Sequence, residues 1–287
     1  MKISFYGVRG SVSVSGQQFV KYGGNTSCVH VELDCGKHLI FDAGTGLKDL
    51  GNVLIKTDQP IYLLLSHHHW DHIQGFPFFA PIHFAKSDLN LLMPAVSENE
   101  VFPLLQQMGG RTFPLNYQDL PAQIKTIGLV ENSNYDFLTS TRLSTLALNH
   151  PGSGLAYKLE AEGVTLAYVT DNELFPPHAP INHYDEWVKF LHGVDVLIHD
   201  AQYVDEDMPH KCGWGHSTIR QVIKLAQDAE VKNLALFHHD HERTDDQLDA
   251  IAKECDTLLH NNNNLTHSFC TYQGLSLILD KNGLSSV

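Results

Sequence analysis

The order of elements along the chain predicts an α+β fold in which two β-sheets pack face to face with helices on their outer sides. Two observations carry this expectation. Short apolar, β-rich runs fall into two blocks, one in the first 65 residues and one beyond residue 142, and helical sequence follows the strands of each. No linker, composition shift or repeat of about 20 to 50 residues separates the blocks, so residues 1–287 read as one domain.

Residues 3–8, 28–33 and 38–41 read as antiparallel strands separated by glycine-bearing turns such as Tyr22-Gly23-Gly24-Asn25. A short helical piece follows Gly46, and a buried strand over 61–65 then stops at a cluster of histidines. The carboxyl end of a strand is where open α/β sheets place their chemistry. Residues 76–136 are rich in aromatics and prolines, with one helix-like stretch over 100–108, and read as an elaboration beside a pocket. The second block has strands at 143–148, 155–159 and 164–169, then strand, helix and strand at 194–198, 217–229 and 234–237. A last helix over 245–259, capped by Thr244, leads through the polar loop 261–264 to a closing strand at 275–279.

The chain carries 19 Lys plus Arg against 33 Asp plus Glu, a formal net charge of −14, together with 19 histidines. An extended nucleic-acid footprint needs a basic stripe to displace counterions, and no basic run occurs, so no extended nucleic-acid binding is expected. The N-terminal apolar run is broken by Gly7 and lacks the core of a secretory signal, and no stretch approaches the roughly 18 apolar residues of a membrane span. The expected location is the cytoplasm, with no membrane partner. Cys28, Cys35, Cys212, Cys255 and Cys270 contain no C-x-x-C pair and read as reduced, buried thiols.

The segment LLLSHHHWDHIQG sets His67, His69, Asp71 and His72 in the pattern H-x-H-x-D-H just past a hydrophobic strand. Imidazole and carboxylate suit borderline cations, zinc above all, with manganese and iron served by the same groups. On a turning loop, two imidazoles can grip one ion while Asp71 and His72 face a second. His68 fits no position of the pattern and is expected to face outward. Two ions need further ligands at other strand ends, and His150 after LSTLALN, Asp171 after VTLAYVT and His238 after NLALF supply them. His239, Asp240 and His241 compete with His238 for the last place. FDAGTG at 41–46 lacks the lysine and spacing of a phosphate-binding loop, so Asp42 reads either as a carboxylate orienting a ligating histidine or as a turn residue.

Taken jointly, FYGVRGS, YGGNTSC, FDAGTG, SHHHWDH, NHPG, VTDNE, IHDAQY, GWGHST and LFHHD run over nearly the whole chain in an order that resembles the metallo-β-lactamase superfamily, and within it the phosphodiesterase branch of RNase Z and small cyclic phosphodiesterases. The resemblance implies a four-layer αββα sandwich with two divalent metal ions along one edge of the packed sheets. Carried over residue by residue, His67, His69 and His150 would hold one metal and Asp71, His72 and His238 the other, with Asp171 bridging. It also implies that Asp200, where the relatives carry Glu, supports His216 of GHST as the catalytic pair, and that the chain forms a homodimer.

Two such ions bring about +4 of charge against about −2 from two ligand aspartates, a local anion site within an acidic protein. Water bridging the ions, its pKa lowered toward about 7, would attack phosphorus, while His216 protonates or orients the leaving oxygen. The expected function is therefore a metal-dependent hydrolase, a phosphodiesterase acting through a metal-bridging hydroxide on a small phosphodiester such as a cyclic nucleotide. A tRNA 3′-processing endonuclease, a glyoxalase-II-like thioesterase and a metal-dependent sensor without turnover are the alternatives. The acidic charge and the lack of a glycine- and proline-rich basic arm favour a small substrate. Trp70, Phe76, Phe78, Phe79 and Trp214 lie near the site in sequence and read mostly as core, with base stacking as their other use.

Overall fold

The computed structural model describes residues 1–97, 100–208, 210–259 and 267–287. Strands β1 (Lys2–Gly7), β2 (Cys28–Glu32) and β3 (His38–Phe41) pair antiparallel, as their glycine turns require. Helix α1 (Leu47–Leu54) returns the chain to β4 (Ile61–Leu64), which runs parallel to β3 with Phe41 opposite Leu64. After the single turn α2 (Trp70–Ile73), strand β5 (Asp88–Pro94), helix α3 (Pro103–Gln106) and strand β6 (Gln123–Leu129) extend the same sheet in parallel.

Strands β7 (Asn134–Leu138), β8 (Thr141–Ala147), β9 (Leu155–Ala161) and β10 (Val164–Val169) form an antiparallel meander. Helix α4 (Tyr184–Leu191), strand β11 (Val196–Asp200), helix α5 (Ile219–Asp228), strand β12 (Asn233–Phe237), helix α6 (Asp245–Leu259) and strand β13 (His267–Cys270) then add three parallel strands. The chain finally crosses back, and β14 (Ser276–Asp280) pairs with β1 and with β15 (Gly283–Ser286). The sheet orders are β15-β14-β1-β2-β3-β4-β5-β6 and β13-β12-β11-β10-β9-β8-β7.

Burial makes the layers explicit. Between the sheets, Phe5, Val29 and Phe41 of the first meet Tyr157, Tyr168 and Phe237 of the second. On the outer face of the second sheet, Trp187 of α4 and Val222 and Leu225 of α5 cover Leu197 and Leu234. On the outer face of the first, Leu47 and Leu50 of α1, with Phe76 and Phe79, cover Ile40 and Leu63. This is the four-layer αββα sandwich, the metallo-β-lactamase fold expected from the sequence. Among the described residues no helix is long and apolar enough to cross a membrane.

The structure corrects several expectations. Residues 76–136 hold two strands of the first sheet, β5 and β6, and the start of β7, rather than an elaboration alone. Pro94 at its C-terminal end masks β5, and β6 is a mostly exposed edge strand whose apolar signal is weak. The helix expected over 100–108 shrinks to Pro103–Gln106. Helix α4 was not anticipated; it is marked only by Glu186, whose carboxylate accepts the His183 N–H at 2.7 Å. Of the five thiols, all free, Cys28, Cys255 and Cys270 are buried, but Cys35 and Cys212 are exposed. The polar loop at 261–264 lies outside the described residues. Thr244 caps α6 as expected, accepting the Gln247 N–H at 3.4 Å while the Gln247 side chain accepts the Thr244 N–H at 2.8 Å.

Candidate metal centre

Side chains reach the site from the C-terminal ends of neighbouring strands. The 67–72 segment follows β4, His150 follows β8, Asp171 follows β10, Asp200 ends β11 and His238 follows β12. Parallel pairing of β10, β11 and β12 brings three of these ends to one edge. Asp42, Asp171 and His238 all adopt left-handed backbone, with φ of 63°, 52° and 57°, which turns each side chain away from its strand direction.

The donor atoms form three groups: Asp200, His216 and His238 make one, and the other two share Asp171. Of these two, one comprises His67, His69, His150 and Asp171, the other Asp71, His72, Asp171 and His238, and within each the donor atoms lie within 4.8 Å of one another. Asp171 Oδ2 is 3.4 Å from Nε2 of both His67 and His72, and Asp171 Oδ1 is 3.0 Å from His238 Nε2. His150 Nε2 lies 2.9 Å from His69 Nδ1. Every residue of both groups is buried except His69, which is exposed at the mouth.

Each inward-facing nitrogen is set by a partner on the other side of its ring. His72 Nδ1 donates to Asp42 Oδ2 at 2.8 Å, His238 Nδ1 to Gln202 Oε1 at 2.9 Å, and His150 Nδ1 to the Gly215 carbonyl at 2.9 Å. His67 Nδ1 donates to Ser66 Oγ at 3.0 Å, and that hydroxyl donates onward to Asp42 Oδ2 at 2.8 Å. One carboxylate therefore orients a histidine in each group. Asp42 also accepts the Ser66 N–H at 2.7 Å and the Tyr168 hydroxyl at 2.7 Å, which favours the orienting role over that of a simple turn residue. With Nδ1 committed outward, Nε2 of each of these four rings is the atom aimed at the interior.

Such an arrangement suits cations. His72 Nε2 and His238 Nε2 face each other at 3.3 Å, a spacing at which one proton, or a cation in its place, joins the two rings. The buried His67 Nε2 has no hydrogen-bond partner. Burial alone would push His72 down, yet Asp71, Asp171 and Asp42 outweigh it and hold the ring well above its usual range, so the carboxylates call for positive charge here. Burial keeps His150 down at about 4 and His67 well below the ordinary value, leaving both rings neutral and able to serve as ligands. The donor set of imidazole and carboxylate matches zinc, and also manganese or iron.

Beside the two groups, His216 Nδ1 lies 3.0 Å from Asp200 Oδ2, and its ring stacks on His238 with centroids 5.3 Å apart. Burial works against the imidazolium, but Asp200 outweighs it and, with Asp171 and Asp71, holds His216 up to about 9. The short arm of Asp200 thus reaches His216 directly. Asp240 turns away to Lys211 at 2.8 Å, and His239 donates to the Thr271 carbonyl at 2.9 Å, so neither enters the donor groups that include His238. His241 belongs to none of those groups.

Two expectations fail here. His68 is half-buried with its ring toward Phe102, because β4 carries it under the first sheet's outer layer rather than out to solvent. Of the five nearby aromatics only Phe76 and Phe79 are core; Trp70, Phe78 and Trp214 are 74%, 61% and 61% exposed. The residues that sequence reasoning missed are the orienting ones. Gln202 sits two residues beyond Asp200, Ser11 donates its N–H to Asp71 Oδ2 at 2.7 Å, and Thr170 donates to Asp171 Oδ1 at 2.7 Å. Glu173 binds the glycine loop before His216. Ser11 lies in FYGVRGS, Thr170 and Glu173 in VTDNE and Gln202 in IHDAQY, so the sequence marked the stretches but not these residues' partners. A cavity of about 170 Å³ opens beside His150, walled by Pro151, Pro177, Ile181 and Gly213.

Comparison with known proteins adds an independent line. Residues 37–239 match the model of the Beta-lactamase superfamily domain. Ribonuclease Z of Picrophilus torridus is 24% identical over 283 residues, covering 83% of this chain and 85% of that protein. Zn(2+)-bound PqqB from Methylobacterium extorquens superposes with a TM-score of 0.70 at 14% identity, over 97% of this chain and 100% of that one. A diphosphatase from the PhnP family superposes with a TM-score of 0.68 at 19% identity, over 97% and 98%. At these identities the two structures show the likeness of fold.

Proposed function

This chain belongs to the beta-lactamase superfamily, and on that premise we propose that it is a metal-dependent phosphodiesterase hydrolysing a small phosphodiester such as a cyclic nucleotide. The observation that carries the reading is the convergence of two His/Asp donor groups on one shared carboxylate, Asp171, with the Asp200–His216 pair beside them. His67, His69 and His150 would hold one divalent ion, Asp71, His72 and His238 a second, and Asp171 would bridge. Such ions lower the pKa of coordinated water and neutralise charge on phosphoryl oxygens.

The chain's own residues do the rest. Asp42, Ser66, Gln202 and the Gly215 carbonyl fix the tautomers that aim the four buried imidazoles inward. Asp200 keeps the His216 proton on Nδ1 and favours the imidazolium, so that Nε2 holds a second proton for a leaving oxygen. The cleft beside His150, apolar along Pro151, Pro177 and Ile181 with Glu173 and His178 also in its lining, offers a wall to the ester arm that does not react. The net charge of −14 supports a small substrate held by the ions rather than a polynucleotide held along its backbone.

A tRNA 3′-processing activity is the second reading, favoured by the ribonuclease Z of Picrophilus torridus, whose match extends over most of both chains. We also propose a cytoplasmic location. The test is purified protein loaded with zinc or manganese and given bis(p-nitrophenyl) phosphate, 2′,3′- and 3′,5′-cyclic nucleotides, precursor tRNA and S-lactoylglutathione, beside His69→Ala. Diester hydrolysis that is lost in His69→Ala supports the proposal. Faster cleavage of precursor tRNA would replace the small substrate, and preference for the thioester would replace the reaction class.

A further inference from the structure

Glu173 lies two residues beyond Asp171 and is a buried carboxylate, 2% exposed, with no cationic side chain paired to it among the described residues. Besides the Cys212 thiol, its two oxygens are used by main chain. Oε1 accepts the Gly213 N–H at 2.8 Å and Oε2 accepts the Gly215 N–H at 3.0 Å. Both glycines have left-handed backbone, φ 84° and 87°, and a Cβ on Gly215 would overlap the His150 ring, so position 215 admits only glycine. Two N–H groups of one turn converging on one carboxylate form a small anion-binding nest, filled here by the protein itself.

The peptide that Glu173 holds does two further things. The Gly215 carbonyl accepts the His150 Nδ1 proton at 2.9 Å, and the next residue is His216, whose ring rests on Asp200. The neighbouring Asn172 anchors the other side of His150, accepting the Asn149 N–H at 3.0 Å. The three residues Asp171, Asn172 and Glu173 therefore tie together the loops that carry His150 and His216. Without the clamp, a turn of two left-handed glycines around an exposed Trp214 has little else to hold its carbonyl toward His150.

We propose that Glu173 is a positioning residue: by clamping the 213–215 turn it keeps the His150 proton on Nδ1, leaves Nε2 free for a metal ion, and places His216. This rests on the reading of His150 as a ligand. In Glu173→Gln the side chain keeps its shape but accepts only one of the two N–H groups and turns an amide donor toward the other. The expected result in the metal-free protein is that the ¹⁵N spectrum of His150 shifts from the Nδ1–H tautomer to a mixture. On metal titration against a chromophoric chelator, zinc affinity should fall by about 10- to 100-fold, the usual effect of losing a partner behind a ligand.

An unchanged His150 tautomer with unchanged zinc affinity, whatever happens to thermal stability, overturns the proposal. Should the variant fail to fold, wild-type hydrogen exchange decides: protected Gly213 and Gly215 amides support the clamp, and exchange at open-loop rates overturns it. Zinc binding with no turnover on any ester would strike the phosphodiesterase reading while leaving the tautomer result to stand or fall alone.

Discussion

Replacing Asp42 by Asn probes the one carboxylate that orients both halves of the candidate centre. Asn tolerates the left-handed backbone at this position, so the change is chemical rather than conformational. The amide oxygen can still accept the Ser66 N–H, but the amide nitrogen then faces the His72 Nδ1 proton and the Ser66 and Tyr168 hydroxyls. Hydroxyls can rotate; the imidazole must move its proton to Nε2, the atom that faces Asp71 at 3.2 Å. Hydrogen bonds to a charged group contribute about 1.5–3 kcal/mol each, so losing one or two of the four, partly offset by reorientation, costs about 3 kcal/mol. At about 2–3 °C per kcal/mol for a chain of this size, the melting temperature of the metal-free protein should fall by roughly 6–9 °C. Zinc affinity should fall by about 10- to 100-fold at both sites, because His67 is oriented through Ser66 by the same carboxylate. Calorimetry and chelator competition measure the two effects. A variant that melts within about 1 °C of wild type and binds zinc within about twofold would refute the orienting role.

Other outcomes follow from single contacts. His216→Asn and Asp200→Asn should each retain both metal ions while lowering kcat by about 10²- to 10⁴-fold; loss of metal from either variant would mean that the pair is structural. Burial, aided by His38 and Lys2, holds the His30 ring down at about 3, so the folded protein keeps it neutral while the unfolded chain takes up a proton below pH 6.5. Its contribution is complete above pH 6.5 and is lost as pH falls toward 3, at up to about 1.4 kcal/mol per pH unit; urea midpoints at pH 7, 6 and 5 should show a shallower slope in His30→Gln, and an identical slope would exclude the effect. Thr244→Ala should cost about 1 kcal/mol in urea denaturation by removing the cap of α6, while Thr244→Ser should cost much less; equal losses would deny the capping hydrogen bond.

How much could be read in advance depended on how local each signal was. The spacing of His67, His69, Asp71 and His72 is a pattern of adjacent residues, and so is the helix from Asp245 to Leu259 behind its Thr244 cap; both are written in one stretch of chain. Strands β5 and β6 were hidden because burial, not sequence alternation, makes them strands: β5 is covered on both faces, and β6 is completed by pairing along β5. Trp70 and Trp214 could not be assigned to core or surface from composition, since a large aromatic suits either until its neighbours are known.

By itself the sequence determined the two blocks of strands, the types of residue at their ends and the acidic net charge. Only the tertiary structure decided that those ends meet, with Asp171 shared between two donor groups, and which atom of each imidazole faces inward. The reason is that a strand end is a local property, whereas a ring's tautomer depends on a partner such as Asp42, Gln202 or Gly215 that lies tens of residues away in the chain and arrives only when the strands of its sheet assemble.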